Sequence, residues 1–285
     1  MFETSLLAGK RILVTGGGTG LGRAMTERFQ ELGAAVAICG RRVEVLQETA
    51  NDLNAKSAEA KARPDVTAHG CDIRDALAVE ALLDDIWQAG PLDILVNNAA
   101  GNFVARSETL SHRAVDAVLN IVLHGTSNVT LACGKRWIAE GRPGNVLSII
   151  TSYAWTGSAY VVPSAMAKAG VLAMTRSLAV EWGPKGIRLN AIAPGPFPTP
   201  GAWERLVPRE DLAATFETRN PLGRAGKHRE LADLASFLVS PGAGYINGEA
   251  VTIDGGEWLA GAGQFNFLKC LSDADWDAFA AKRRG

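Results

Sequence analysis

Lys10-Arg-Ile-Leu-Val-Thr-Gly-Gly-Gly-Thr-Gly-Leu-Gly22 decides the fold. Lys10 to Val14 reads as a short strand, and Leu21, Met25, Phe29 and Leu32 then recur at helical spacing until Gly33. Between strand and helix, Gly16, Gly20 and Gly22 fall at G-x-x-x-G-x-G spacing. Glycine permits the tight turn and lets backbone N–H groups approach a pyrophosphate, and the helix N-terminus favours its negative charge. A glycine turn alone is a weak sign. Strand, turn and helix in this order predict a dinucleotide site held by Gly16, Gly18, Thr19, Gly20, Leu21 and Gly22.

The same alternation continues outward. Strand-like runs at Ala35–Cys39, Val66–Gly70, Asp93–Val96, Val146–Ile150, Arg188–Ile192 and Ala250–Ile253 are separated by helical segments. These run over Val43–Lys56, Ala76–Gln88, Ser111–Ile138 (with one break near Gly125), Ser164–Trp182 and Glu230–Val239. Alternation of this kind implies βαβ units, right-handed crossovers and a parallel sheet. The expectation is a single Rossmann-type α/β domain over residues 1–285, with a doubly wound parallel seven-stranded sheet. Six prolines between Pro194 and Pro221 mark a lid after strand six, over about 195–221. The tail from about 257 to 285 is aromatic and is expected to pack on the body or on a neighbouring subunit.

The chain has 285 residues, 47% hydrophobic and 21% charged, with a net charge of −1, which suits one large α/β domain. Near-neutral charge argues against nucleic-acid binding. No apolar run reaches spanning length. Met1 to Gly9 has no basic n-region, and Ala-Lys-Arg-Arg-Gly285 is no peroxisomal signal, so a cytoplasmic protein is expected. Cys39, Cys71, Cys133 and Cys270 are scattered without a C-x-x-C pair, and no metal site is expected. Cys133 reads as core, and His124 as packed or interfacial.

The end of the second strand reports the cofactor. An acidic residue there would bind the adenosine ribose 2′-hydroxyl, but this strand ends in Cys39-Gly-Arg-Arg42. The guanidinium groups of Arg41 and Arg42 suit a 2′-phosphate, so NADP(H) is expected. One charge-assisted contact of about 1.5–3 kcal/mol would give roughly 10- to 100-fold preference. Asp72 either meets the adenine or caps the helix at Ala76. Asn97-Asn-Ala-Ala-Gly-Asn-Phe103 is either a wall against the cofactor, with Asn98 and Ala99 closest, or an Asn/Gly turn. Thr151 to Lys168 then gathers Tyr153, Tyr160, Ser164 and Lys168 between a strand end and a helix, where an open α/β sheet carries its chemistry. Ser164 either orients substrate or cofactor or caps that helix beside Pro163.

The glycine loop, Asn97–Gly101, the Ser/Tyr/Lys region, Pro194-Gly195-Pro196 and Asp254-Gly-Gly256 together resemble the short-chain dehydrogenase/reductase superfamily. The usual member has Tyr-x-x-x-Lys. Here Ser164 stands four residues before Lys168. Tyr153, Val161-Val-Pro-Ser-Ala, Arg205 and Gly263-Gln-Phe-Asn266 are similar to the 2,4-dienoyl-CoA reductase branch, which supplies its tyrosine from earlier in the loop. That resemblance implies an active-site set of Tyr153, Ser164, Lys168 and Asn102. It implies acyl-CoA positions at Phe103, Ser111 and Arg205. It implies cofactor positions at Arg41, Asp72, Lys168 and Pro194-Gly195-Pro196-Phe197. A homotetramer assembled through the two long helices is also implied. Val122 stands where the superfamily often has an asparagine.

Reduction of a conjugated dienoyl thioester places hydride several bonds from the oxygen that receives the charge, so the tyrosine need not stand over the hydride-accepting carbon. Donors aimed at that oxygen, here Tyr153 and Asn102, are worth about 2.7–4 kcal/mol each. The leading expectation is an NADPH-dependent 2,4-dienoyl-CoA reductase of unsaturated fatty-acid breakdown. The alternatives are a trans-2-enoyl-CoA reductase, an alcohol/ketone dehydrogenase using Tyr160, and a non-catalytic NADP(H)-binding sensor.

Overall fold

The structure is a computed structural model that describes residues 2–59, 63–199, 209 and 219–283. Its strands are β1 (Arg11–Thr15), β2 (Ala35–Gly40), β3 (Val66–Gly70), β4 (Ile94–Asn97), β5 (Gly144–Ile149), β6 (Ile187–Pro194) and β7 (Ala250–Ile253). All pair in parallel in the order β3-β2-β1-β4-β5-β6-β7, one seven-stranded sheet. Strand order reverses between β1 and β4, whose registers align Val14 with Val96. Ligands of open α/β sheets bind in the crevice outside the carboxyl ends at such a reversal.

The helices are α1 (Gly20–Glu31), α2 (Val43–Glu59), α3 (Ala76–Gln88), α4 (His112–Leu119), α5 (Gly125–Ala139), α6 (Tyr153–Thr156), α7 (Val162–Trp182), α8 (His228–Val239), α9 (Glu257–Ala262) and α10 (Asp273–Lys282). They cover both faces of the sheet. Ile12 and Val14 of β1 point to the face packed by Met25, Phe29 and Leu231, while Leu13 points to the face packed by Leu83, Trp137 and Trp182. Alternate residues of a strand face opposite sides, so a strand covered on both faces must be apolar throughout.

Local chemistry corrects several expectations. Asp75, not Asp72, caps α3, its carboxylate accepting from the N–H groups of Leu77 and Ala78. Ser111 does cap α4, accepting from Ala114 N at 3.2 Å. The break near Gly125 is a π turn at Asn120–His124 that joins α4 to α5 without interrupting the helix. Gly125 answers a different need: a Cβ there would stand 2.7 Å from Ile73 Cγ1. α7 starts at Val162 with Pro163 in its first turn, so Ser164 is inside the helix and is not its cap. Cys133 is fully buried, and burial pushes its thiol up to about 12. His124 is exposed. Most of the expected lid, with Arg205, lies outside the described residues. The tail forms α9 and α10; Trp258 packs on Trp155, while Phe265, Phe267, Trp276 and Phe279 face outward. Among the described residues no helix is long and apolar enough to cross a membrane.

Candidate active site

A cavity of about 430 Å³ runs along the carboxyl ends of the strands, from Arg41 and Asp72 at one end to Tyr153, Ser164 and Lys168 at the other. The glycine loop forms its floor. Gly16 and Gly20 have φ of 67° and 53°, which side-chain-bearing residues rarely adopt. A Cβ at Gly17 would stand 2.4 Å from Ile38 Cγ2, and one at Gly22 would stand 2.3 Å from the Gly16 carbonyl oxygen. Thr19 precedes α1 without capping it through its side chain. The first N–H groups of α1 therefore meet no side-chain cap, and Gly20 and Leu21 line the cavity. An uncapped helix start beside a backbone-only loop is the arrangement that takes a pyrophosphate.

The loop is tied to β4. Thr15 Oγ1 accepts from the N–H groups of Asn98 and Ala99, both at 3.0 Å. Asn98 Nδ2 donates to the carbonyls of Thr15 and Gly16 at 3.0 and 3.2 Å. Asn98 thus spends its amide on holding the loop, although it also lines the cavity. At the far end Arg41 and Arg42 are exposed and form no ion pair among the described residues. Asp72 accepts from Arg74 Nε at 2.9 Å, and this partner holds its carboxyl below the usual carboxylate range. Cys39 and Cys71 also line this end, and burial raises both thiols. The residues present fit a dinucleotide.

The other end gathers the polar side chains. Tyr153 Oη lies 3.0 Å from Ser164 Oγ, and Asn102 Nδ2 donates to the same Tyr153 oxygen at 3.4 Å. Asn102 donates to the phenol oxygen, and in the Tyr153–Ser164 contact either hydroxyl can donate. Ser164 is 2% exposed and comes from α7, one turn before Lys168. Lys168 Nζ donates to the Ile149 carbonyl at the end of β5. It is 7% exposed, and burial draws its ammonium down to about 8. Tyr160, by contrast, is 59% exposed, has φ 66°, and is absent from the cavity wall.

Pro194 and Phe197 line the cavity, whereas Gly22, Gly195 and Pro196 are not on its wall. Phe103 packs with Val118, Val122 and Ala167 instead of facing the cavity. Ser111 is occupied by its capping bond. The residue of the α4–α5 connection that reaches the cavity is Ile121, while Val122 is buried beside it. Sequence reading missed Ile121, the bracing role of Thr15, and Thr151, which lines the cavity with a buried hydroxyl that has no hydrogen-bond partner among the described residues. A threonine closing an otherwise apolar strand was the available signal for Thr15. Nothing in the sequence marked Ile121, because its direction depends on the π turn.

Residues 16–257 match the family described as enoyl-(acyl carrier protein) reductase. The chain is 43% identical over 252 residues to a probable 2,4-dienoyl-CoA reductase [(2E)-enoyl-CoA-producing] of Bacillus subtilis, covering 88% of this chain and 97% of that one. It is 45% identical over 277 residues to a probable 2,4-dienoyl-CoA reductase 3 [(3E)-enoyl-CoA-producing] of Caenorhabditis elegans, covering 95% and 88%. A short chain dehydrogenase from Bacillus anthracis superposes with a TM-score of 0.79 at 41% identity, covering 87% and 96% of the two chains. A putative NAD(P) dependent gluconate 5-dehydrogenase from Beutenbergia cavernae, solved with bound NADP, superposes at 0.82 with 28% identity, covering 90% and 100%.

Proposed function

Because the chain belongs to the short-chain dehydrogenase/reductase family, in its 2,4-dienoyl-CoA reductase-like branch, we propose that it is an NADPH-dependent reductase of 2,4-dienoyl-CoA thioesters serving unsaturated fatty-acid breakdown. The observation that carries this reading is the Asn102–Tyr153–Ser164 hydrogen-bond chain beside Lys168, in a cavity continuous with the glycine loop.

NADPH, when bound, supplies the hydride. The glycine loop and the start of α1 hold its pyrophosphate, and Arg41 and Arg42 favour its 2′-phosphate over a bare ribose. Lys168 binds on the nicotinamide side, and its charge offsets negative charge developing nearby. Tyr153 Oη donates a hydrogen bond to the thioester oxygen, which takes up the negative charge as hydride adds to carbon, and water supplies the proton that completes the reduction at carbon. Asn102, donating to Tyr153, orients that hydroxyl and strengthens it as a donor, and Ser164 holds it through a contact at 3.0 Å. The second N–H of Asn102 Nδ2 remains for the substrate. Met166 and Val180 of α7 and Leu131 of α5 leave apolar side chains exposed, which suits assembly of copies through these helices.

The test is NADPH consumption with dienoyl-, enoyl- and ketoacyl-CoA, repeated with NADH and on two variants. Dienoyl-CoA with NADPH should react fastest. Tyr153→Phe should lower kcat by about 10²–10³-fold, and Tyr160→Phe should leave it unchanged. Preference for ketoacyl-CoA, or dependence on Tyr160 instead of Tyr153, would overturn the reading. Product analysis assigns the remaining double bond.

A further inference from the structure

Tyr153 stands on a helix too short to hold itself. α6 spans four residues and ends at Gly157, whose φ is 70°. Isolated helices below about 12–15 residues are marginal in water, so tertiary contacts must fix α6. The Tyr-x-x-x-Lys arrangement places tyrosine and lysine on one long helix that orients both. Here α7 keeps Ser164 and Lys168, and Tyr153 has left it.

The inward contacts are those of the site and of Ala154, which packs against the cluster of Ile150, Val171, Leu172, Ala191 and Ala193. The outward contact is Trp155. Residues two apart on a helix do not share a face, so Trp155 points away from the cavity that Tyr153 lines. There its ring meets Trp258 edge to face, with centroids 5.9 Å apart and planes at 82°, a favoured aromatic arrangement.

Trp258 is fixed in turn. Its N–H donates to Asp254 Oδ2 at 2.9 Å, while Asp254 Oδ1 accepts from Gly256 N at 2.9 Å. Asp254 is 8% exposed, and its carbonyl accepts from Asn220 Nδ2 at 2.8 Å. It presses on the end of β6 so closely that a Cβ at Gly195 would stand 2.7 Å from its own. A line of contacts therefore runs from the sheet through Asp254, Trp258 and Trp155 to α6.

We infer that Trp155 and Trp258 are positioning residues for Tyr153: the C-terminal segment sets the reacting hydroxyl through an edge-to-face tryptophan pair. The inference rests on the reading that Tyr153 is catalytic. Neither indole lines the cavity, so both act through Tyr153 alone.

The test is a double-mutant cycle on the full chain with dienoyl-CoA and NADPH, together with NADPH binding by fluorescence. Trp258→Ala should lower kcat about 5- to 50-fold, since a small misplacement of a reacting group is costly. The NADPH Kd should not change, and Trp258→Phe should restore most of the rate. In a Tyr153→Phe background Trp258→Ala should cost nothing further, because the pair then has no hydroxyl to place. An unchanged kcat in Trp258→Ala, an equal loss in the Tyr153→Phe background, or a parallel loss of NADPH affinity would each overturn the inference. If Trp258→Ala does not fold, Trp155→Ala, at a residue 37% exposed, is judged by the same criteria. Wild-type kcat in Tyr153→Phe alone would instead sink the reading of Tyr153, and so separates the two failures.

Discussion

Lys168 carries the clearest pH signature of any single residue. Burial draws its ammonium from the ordinary lysine value of 10.5 to about 8. Between those values the unfolded chain binds a proton that the folded chain has shed, so this residue makes stability rise with pH across that window. Below about 8 the cost of burying the charge is present in full. Activity should run the other way, because the proposed role needs the charged form. The expected result is an alkaline limb near pH 8 in kcat/KM for NADPH. Lys168→Arg, whose guanidinium stays charged, should remove that limb even where its rate is lower. A limb unmoved in Lys168→Arg would assign the titration to another group. Lys168 and Ser164 were legible in the sequence because an i, i+4 pair shares a helix face. Tyr153 was legible only through resemblance, since nothing in the spacing separates it from Tyr160. What separates them is burial and the Tyr153–Ser164 contact at 3.0 Å, and both depend on the loop's path.

Among the elements, α5 and α7 meet where no side chain can be added. A Cβ at Gly134 would stand 2.3 Å from the ring of Trp182, which is 5% exposed and enclosed. Alanine is the better helix former, but overpacking an enclosed ring costs more than that propensity returns. Gly134→Ala should therefore destabilise the fold by about 1–3 kcal/mol, read by urea denaturation at unchanged m-value. Element identity was legible where periodicity or punctuation was strong, as for α1 between its glycines and for α3. The π turn was not, because Leu119, Ile121, Val122 and Leu123 are apolar on every side and leave no phase to read. The cap of α3 was not legible: Asp72 was the candidate, but the helix opens at Ala76, directly after Asp75, whose carboxylate reaches the N–H groups of Leu77 and Ala78. The start of α7 was misread at Ser164 because the helix opens on Val162-Pro163, an apolar pair without a capping side chain.

Across the whole molecule, the cavity draws residues from the ends of β1, β2, β3, β4, β5 and β6, so ligand and fold are energetically linked. NADPH at 100 times its Kd should stabilise the folded chain by about 2.7 kcal/mol. Removing Arg41 and Arg42 together should weaken NADPH binding roughly 10- to 100-fold and leave NADH binding unchanged. Equal losses for both cofactors, measured by thermal shift and titration, would show that the arginines do not read the 2′-phosphate. The sheet was legible because buried parallel strands are written as apolar runs. The tie between Thr15 and Asn98 was not, because it joins positions 83 apart. That tie also bears on the order in which the chain is made. Synthesis delivers the glycine loop, Arg41, Arg42, Asp72 and the Thr15–Asn98 tie before Asn102, Tyr153, Ser164 or Lys168 leaves the ribosome. Trp258 comes later still. The proposed nucleotide contacts are thus encoded ahead of every proposed reacting group, and an arrest late in translation would remove the latter before the former.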